Sequence, residues 1–196
     1  TDCFAVDWFC DQRTKANRFV FINGNGGYRL RKASDVVAEA FSRPGAPPLT
    51  VYSQQKEQIA LFNSSNVQVI HKNFPEREDV YSEGDIFLFP SYWEGLCHGI
   101  YEAQAVGGLV ITSSQPPMNE CGTPYLVGVD RYAQEDLSGK KILKAIPSVD
   151  DLYNISKCIY GSDITKLSKQ NRKNIEINFN LESNLKSLYI KIQNKI

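Results

Sequence analysis

The chain has 196 residues with 22 Lys+Arg against 22 Asp+Glu, so it carries no formal net charge at pH 7. That length suits one domain burying roughly 70% of its unfolded surface, and the charge balance offers no field to gather nucleic acid or an anionic membrane. Five cysteines (Cys3, Cys10, Cys97, Cys121, Cys158) without a C-x-x-C pair, and only two histidines, read as reduced thiols in a cytoplasmic protein with no metal site.

Residues 1–18 lack a strong pattern and read as a linker into a domain spanning 19–196. The N-terminus TDCFAVDWFCDQR lacks the basic and apolar regions of a secretion signal, and no apolar run approaches the roughly 18 residues of a membrane span. A start on Thr1 reads as a piece of something longer. Phe19 to Ile22 predicts a buried strand, followed by the glycine-rich loop NGNGGYRLRK. Gly24, Gly26 and Gly27 allow backbone N–H groups to approach an anion, and Arg29, Arg31 and Lys32 supply neutralising charge. The loop matches neither G-x-G-x-x-G nor the P-loop, so an ordinary loop with surface cations remains the alternative.

A helix is predicted from Ser34 as N-cap, with Val36, Val37, Ala40 and Phe41 on one face, ended by Pro44, Gly45, Pro47 and Pro48. Leu49 to Tyr52 predicts a strand, the polar segment around Gln54 to Asn63 a helix, Asn66 to Ile70 a strand, and Asp79 to Gly84 a short helix.

The segment 85–114 carries most of the functional signal. Ile86 to Phe89 is wholly apolar and ends at Pro90, as in a strand buried on both faces. After a loop around Ser91 to Glu94, Ile100, Ala103 and Val106 at helical spacing predict a helix from Gly99 to Val106, which Gly107 and Gly108 stop. Leu109 to Ile111 is the next strand. Strand and helix thus alternate from residue 19 to residue 112, the rhythm of an α/β domain with a Rossmann-like parallel sheet flanked by helices. Such a sheet opens its loops at the carboxyl edge, so Glu94 to Glu102 line a pocket, with the N–H groups of Leu96 to Gly99 available to oxygen ligands.

Further on, Tyr125 to Val129 predicts a short strand, and residues 130–147 have no clear pattern. Ser148 with Asp151 forms a capping box for a helix through Tyr160, and Asp163 caps another holding Ile164, Leu167 and Ile175. A last helix runs from Phe179 to Ile192 with Leu181, Leu185, Leu188 and Ile192 on one stripe.

Pro90-Ser91, Glu94-Gly95, Glu102-Ala103, Gly107 and Val110-Ile111 together resemble the Glu, seven residues, Glu motif of retaining glycosyltransferases with the GT-B fold, family 4. Its pattern is roughly P-S-x-x-E-G-F-G-x-x-x-x-E-A-x-A-x-G-x-P-V-I. This chain departs at Cys97 for Gly, His98 for an apolar residue and Gly99 for Pro. Lys32 to Phe41, KASDVVAEAF, is similar to the family's K-G-x-D-x-L-x-x-A-F. The resemblance covers residues 19 to 192, as the C-terminal half of a GT-B fold.

It implies a donor-binding domain that takes a nucleotide-diphosphate sugar and transfers its hexose with retention, without a metal or other cofactor. Glu102 then holds the ribose hydroxyls and Glu94 those of the donor sugar. Lys32 matches the lysine that grips the diphosphate, while the family arginine five or six residues earlier is replaced by Gly or Asn, so Arg29 or Arg31 stands in. Gly24, Gly26 and Gly27 belong to that loop, Lys72, Asn73 and Phe74 face the base, and Gly95, Leu96, Cys97, His98 and Gly99 bind donor oxygens. The acceptor, a glycan, protein or lipid, falls to an N-terminal domain, without which these residues are expected to be inactive.

Other roles compete within the same segment. Paired carboxylates also serve glycoside hydrolysis, Cys97 with His98 invites a nucleophile, and Tyr92 and Trp93 either flank the sugar or fill the underside of the loop. At the level of function the alternatives are a non-catalytic nucleotide-sugar-binding module and a dinucleotide-dependent oxidoreductase domain. The latter lacks its G-x-G-x-x-G fingerprint and the acidic residue about 20 positions on.

Overall fold

In the computed structural model, residues 8, 11–24, 31–54 and 59–193 are described, apart from the side chains at 181 and 183. Six strands, β1 (Phe19–Gly24), β2 (Leu49–Ser53), β3 (Val67–Ile70), β4 (Ile86–Phe89), β5 (Leu109–Ser113) and β6 (Tyr125–Val127), form one sheet in the order β3-β2-β1-β4-β5-β6. Every pairing is parallel. The helices are α1 (Ser34–Ser42), α2 (Asp79–Ser82), α3 (His98–Ala105), α4 (Val149–Ile159), α5 (Thr165–Asn178) and α6 (Leu181–Gln193).

Alternation along the apolar strands builds two cores. Phe19, Phe21, Ile86, Leu88, Leu109 and Ile111 join Val37, Phe41 and Leu152 on one face, and Val20, Phe87, Phe89 and Val110 join Tyr81, Ile100 and Ala103 on the other. At about 1.5–3 kcal/mol for each large apolar side chain buried, β4 and β5, buried at every residue, anchor the sheet. α3 stops where the sequence expects it. Gly107 takes a φ of 77° and Gly108 donates its N–H to the Ala103 carbonyl at 2.8 Å. A Cβ on Gly108 would stand 2.5 Å from the Phe87 ring, so the helix can turn tightly onto β5 only with glycine there.

The last turn of α3 is tied down from two directions. Arg13 donates to the Val106 carbonyl at 2.6 Å, Arg172 to Ala105 at 2.7 Å, and Asn171 to Gly108 at 2.8 Å. Arg13 is 3% exposed and also binds the carbonyls of Tyr81 and Gly84, so residues 11–18 lie pinned against the domain. Lys15 adds an isolated antiparallel backbone β-bridge to Asp163.

Some elements differ from expectation. The N-cap position of α1 is Ala33, with a φ of 56°, and Ser34 does not cap. Its hydroxyl instead donates to Asn23 Oδ1 at 2.9 Å, and Asn23 donates to Ser53 Oγ at 3.0 Å, so a buried polar chain links the ends of β1 and β2 to α1. Ser148 does cap α4, accepting from the Asp151 N–H at 3.3 Å, and Asp163 accepts from Thr165 N–H at 2.9 Å ahead of α5. The helix expected around Gln54 to Asn63 falls partly on residues 55–58, outside the described residues.

Residues 130–147, patternless in sequence, form with Val129 an antiparallel hairpin, β7 (Val129–Leu137) and β8 (Lys140–Pro147), so the strand expected from Tyr125 to Val129 ends at Val127. Its turn is Ser138-Gly139, with φ of 53° and 81°, as in the two-residue turns that suit strand twist. On α6 the expected apolar stripe is exposed at Leu185, Leu188 and Ile192. Among the described residues no helix is long and apolar enough to cross a membrane.

Candidate functional site

β1 and β4 are neighbours although two strands, β2 and β3, separate them in sequence, and on either side of that pair the strand order runs outward in opposite directions. At such a switch point the loops after the two strands part and leave a crevice at the carboxyl edge. A cavity of about 370 Å³ occupies that crevice. Its lining combines Arg31 and Lys32 from the loop after β1, Phe89 at the end of β4, Glu94 from the loop after it, and Leu96 to Ile100 at the start of α3. A larger groove of about 570 Å³ lies elsewhere, along the starts of β2 and β3, away from these groups.

Each side chain is held by its own support. Glu94 is paired with Arg31 through Oε2 and accepts the Ser91 hydroxyl at 2.9 Å through Oε1. Ser91 is held in turn by β5, since Ser113 donates to its carbonyl at 2.9 Å, and Thr112 donates to the Phe89 carbonyl at 2.9 Å. The Tyr92 N–H donates to the Arg31 carbonyl at 2.8 Å, tying the two loops together. Lys32 stands 5.9 Å from the centre of the Phe89 ring. Burial pushes its ammonium pKa down, against the pull of Glu94, and Arg31 adds to the lowering. Two cations beside the N-terminus of an eight-residue helix make the crevice a place for anionic oxygens.

Cys97 precedes α3 in the left-handed conformation, φ 52°, which explains a glycine at this position in the motif it resembles. Its thiol pKa is pushed up to about 12, first by burial and then by Glu94, so the residue is a poor nucleophile. At Gly99 a Cβ would meet the Phe89 ring at 2.8 Å.

Glu102 sits apart from the cavity walls. It is 3% exposed on α3, with Oε2 accepting the Tyr81 hydroxyl at 2.6 Å and Oε1 paired with Arg77 at 2.7 Å. Tyr92 fills the underside of the site loop. It is 2% exposed, donates to Asp35 at 2.5 Å and carries the Lys144 ammonium 3.8 Å from its ring centre, while Ala145 of the hairpin donates to its carbonyl at 3.1 Å.

The structure therefore gathers Arg31, Lys32, Glu94, Leu96, Cys97, His98 and Gly99 in one cavity wall. Gly24 ends β1, and Gly95 lies in the loop without lining the cavity. Lys72 lies over the Phe74 ring at 4.3 Å, Phe74 meets Tyr52 edge-on at 5.0 Å, and Asn73 contacts Gln54, all after β3 and outside the cavity lining. Gly26, Gly27 and Arg29 lie outside the described residues. The sequence reading missed Tyr81 and Arg77, whose signal is a single Tyr and Arg with no motif around them, and Phe89, read only as core.

Residues 51–140, just under half of the chain, match the family model described as glycosyl transferases group 1. The sucrose-phosphate synthase of Thermosynechococcus elongatus is similar in fold, with a TM-score of 0.65 and 17% identity over 100% of this chain and 52% of that one. A mutant of S. aureus TarM in complex with fondaparinux, alpha-GlcNAc-glycerol and UDP aligns at a TM-score of 0.66 and 12% identity, over 92% of this chain and 36% of that one. The C-terminal domain of a glycosyl transferase group 1 family protein from Francisella tularensis aligns at 0.59 and 14% identity, over 92% and 99%. No curated protein matches the chain. The chain thus spans about half the synthase and nearly all of an isolated C-terminal domain. The family model supports a glycosyl transferases group 1 domain over residues 51–140, and the solved structures share the Rossmann-like architecture of GT-B C-terminal halves.

Proposed function

We propose that this chain is the donor-binding domain of a retaining, family 4 type glycosyltransferase that takes a nucleotide-diphosphate sugar. The observation that carries the reading is the cavity at the switch point, where Arg31, Lys32, Glu94 and the start of α3 together line a space of about 370 Å³. Cations and helix N–H groups bind the diphosphate, and Glu94 accepts hydroxyl protons of the sugar. Glu102, behind them on α3, takes the ribose hydroxyls, and Lys72 to Phe74 contact the base.

In the transfer step these groups stabilise the charge that develops on the leaving diphosphate, which in this reading removes the need for a divalent ion. Acceptor binding is assigned to a second domain that closes the cleft and excludes water. Well-oriented reactions gain effective molarities of about 10⁵–10⁸ M, which a half-cleft forfeits. A cytoplasmic location goes with the reading.

A thermal-shift panel of nucleoside diphosphates tests the binding part. A ligand at a hundredfold excess over its dissociation constant adds about 2.7 kcal/mol of stability. Stabilisation by one base over the others, in chelator, supports the reading; no shift with any base contradicts it. Joined to an acceptor domain, the chain is expected to yield a product with the donor's anomeric configuration, read by NMR, and an inverted product would contradict the retaining assignment.

A further inference from the structure

Glu102 is a buried carboxylate whose two oxygens have unlike partners. Oε2 accepts the hydroxyl of Tyr81 at 2.6 Å. Tyr81 is itself immobilised. It is 4% exposed, its ring lies 5.4 Å from that of Phe87 and 5.6 Å from that of Trp8, and its carbonyl accepts from the buried Arg13 at 2.9 Å. Oε1 is covered by Arg77, whose side chain is 65% exposed and stems from the loop between β3 and α2. One oxygen is therefore fixed from inside the protein, and the other meets an exchangeable partner at the surface.

A carboxylate that reads sugar hydroxyls needs a defined rotamer, because an O–H···O⁻ bond forms only within a narrow distance and angle. Tyr81 supplies that definition: the internal bond uses up Oε2 and turns Oε1 outward. Building on the nucleotide reading above, we infer that Tyr81 is a positioning residue that holds Glu102 so that its outward oxygen, Oε1, reads a ribose hydroxyl, and through Glu102 it sets the preference for ribonucleotides over 2′-deoxyribonucleotides. Arg77 is the partner that the ligand hydroxyl replaces.

The test is calorimetry with UDP, GDP and ADP and their 2′-deoxy counterparts on the wild-type chain, Tyr81→Phe and Arg77→Ala. Tyr81→Phe keeps the ring and its packing and removes only the hydroxyl. The wild type is expected to prefer the ribonucleotide by roughly tenfold or more, the worth of a hydrogen bond to a charged group. In Tyr81→Phe the preference should shrink to less than about threefold through weaker ribonucleotide binding, with the deoxy affinity unchanged. Arg77→Ala should keep the preference.

A purely structural Tyr81 would lower both affinities together and leave their ratio intact, which would overturn the inference. So would loss of the ratio in Arg77→Ala with retention in Tyr81→Phe. Wild-type binding without ribose preference would overturn the inference and leave the nucleotide reading standing. Binding of none of the six would overturn that reading and this inference with it.

Discussion

Arg31 and Glu94 form an ion pair in the wall of the candidate cavity, joining the loop after β1 to the loop after β4. The guanidinium best placed to meet a diphosphate is thus already partnered by the carboxylate assigned to the sugar. Glu94→Ala releases Arg31. A bare nucleoside diphosphate is then expected to bind as well as before or more tightly, whereas a sugar-bearing donor loses about 1.5–3 kcal/mol, the worth of a hydrogen bond to a charged group. Calorimetry with both ligands checks it, and equal losses would contradict the division of roles.

Lys32 offers the complementary case. Its charge is held in a wall that depresses its pKa by burial, so an arriving diphosphate supplies what the site withholds. Lys32→Ala is expected to cost diphosphate binding about 1.5–3 kcal/mol. Arg31→Ala, which also frees Glu94, should cost under about 1 kcal/mol, as for a partly exposed ion pair. The order of the two losses in titration calorimetry decides it.

How far the sequence carried this account depends on the range of the signal. The parallel sheet was legible because Phe19 to Ile22, Ile86 to Phe89 and Leu109 to Ile111 are wholly apolar and each is bounded by breakers, all local features. Glu94 and Lys32 were legible through motif spacing. Ser34 misled because a serine at a helix start usually caps, and here the buried Asn23 competes for its hydroxyl. The β7–β8 hairpin was missed because its strands alternate charged with half-buried residues, and only the Ser138-Gly139 turn signals it. Tyr81, twenty-one residues from Glu102, is brought to it only through the tertiary contact of α2 with α3.

Alkaline pH is expected to weaken the fold. Burial raises the Cys97 thiol from 9.0 to about 12 and raises Tyr81 and Tyr92 as well. Groups raised in the folded state keep protons that the unfolded chain releases, so the Cys97 contribution is complete below about pH 9 and is lost as pH rises toward about 12, and that of the two tyrosines begins to fall above about pH 10. The urea midpoint should fall between pH 8 and pH 10.5, and less steeply in Cys97→Ser. At pH 8, iodoacetamide should label the exposed Cys158 and spare Cys97, read by peptide mass spectrometry. A flat midpoint, or Cys97 reacting first, would refute the buried-thiol picture.

Tyr92 couples the site loop to α1. Tyr92→Phe keeps the ring under Lys144 and removes the O–H that Asp35 accepts at 2.5 Å. Loss of a hydrogen bond to a charged acceptor should destabilise the chain by about 1.5–3 kcal/mol in urea unfolding. An unchanged midpoint would show that the hairpin alone holds this loop.

The central claim is that the crevice between the ends of β1 and β4 binds a nucleoside diphosphate through its own cations and helix start. Titration calorimetry with UDP, GDP and ADP in excess chelator, on the wild type, Lys32→Ala and Glu102→Ala, tests it most directly. The account predicts one site per chain for one of the three bases, unaffected by added magnesium or manganese and weakened in both variants. Binding that appears only when a divalent ion is restored, or that survives both substitutions unchanged, would contradict it.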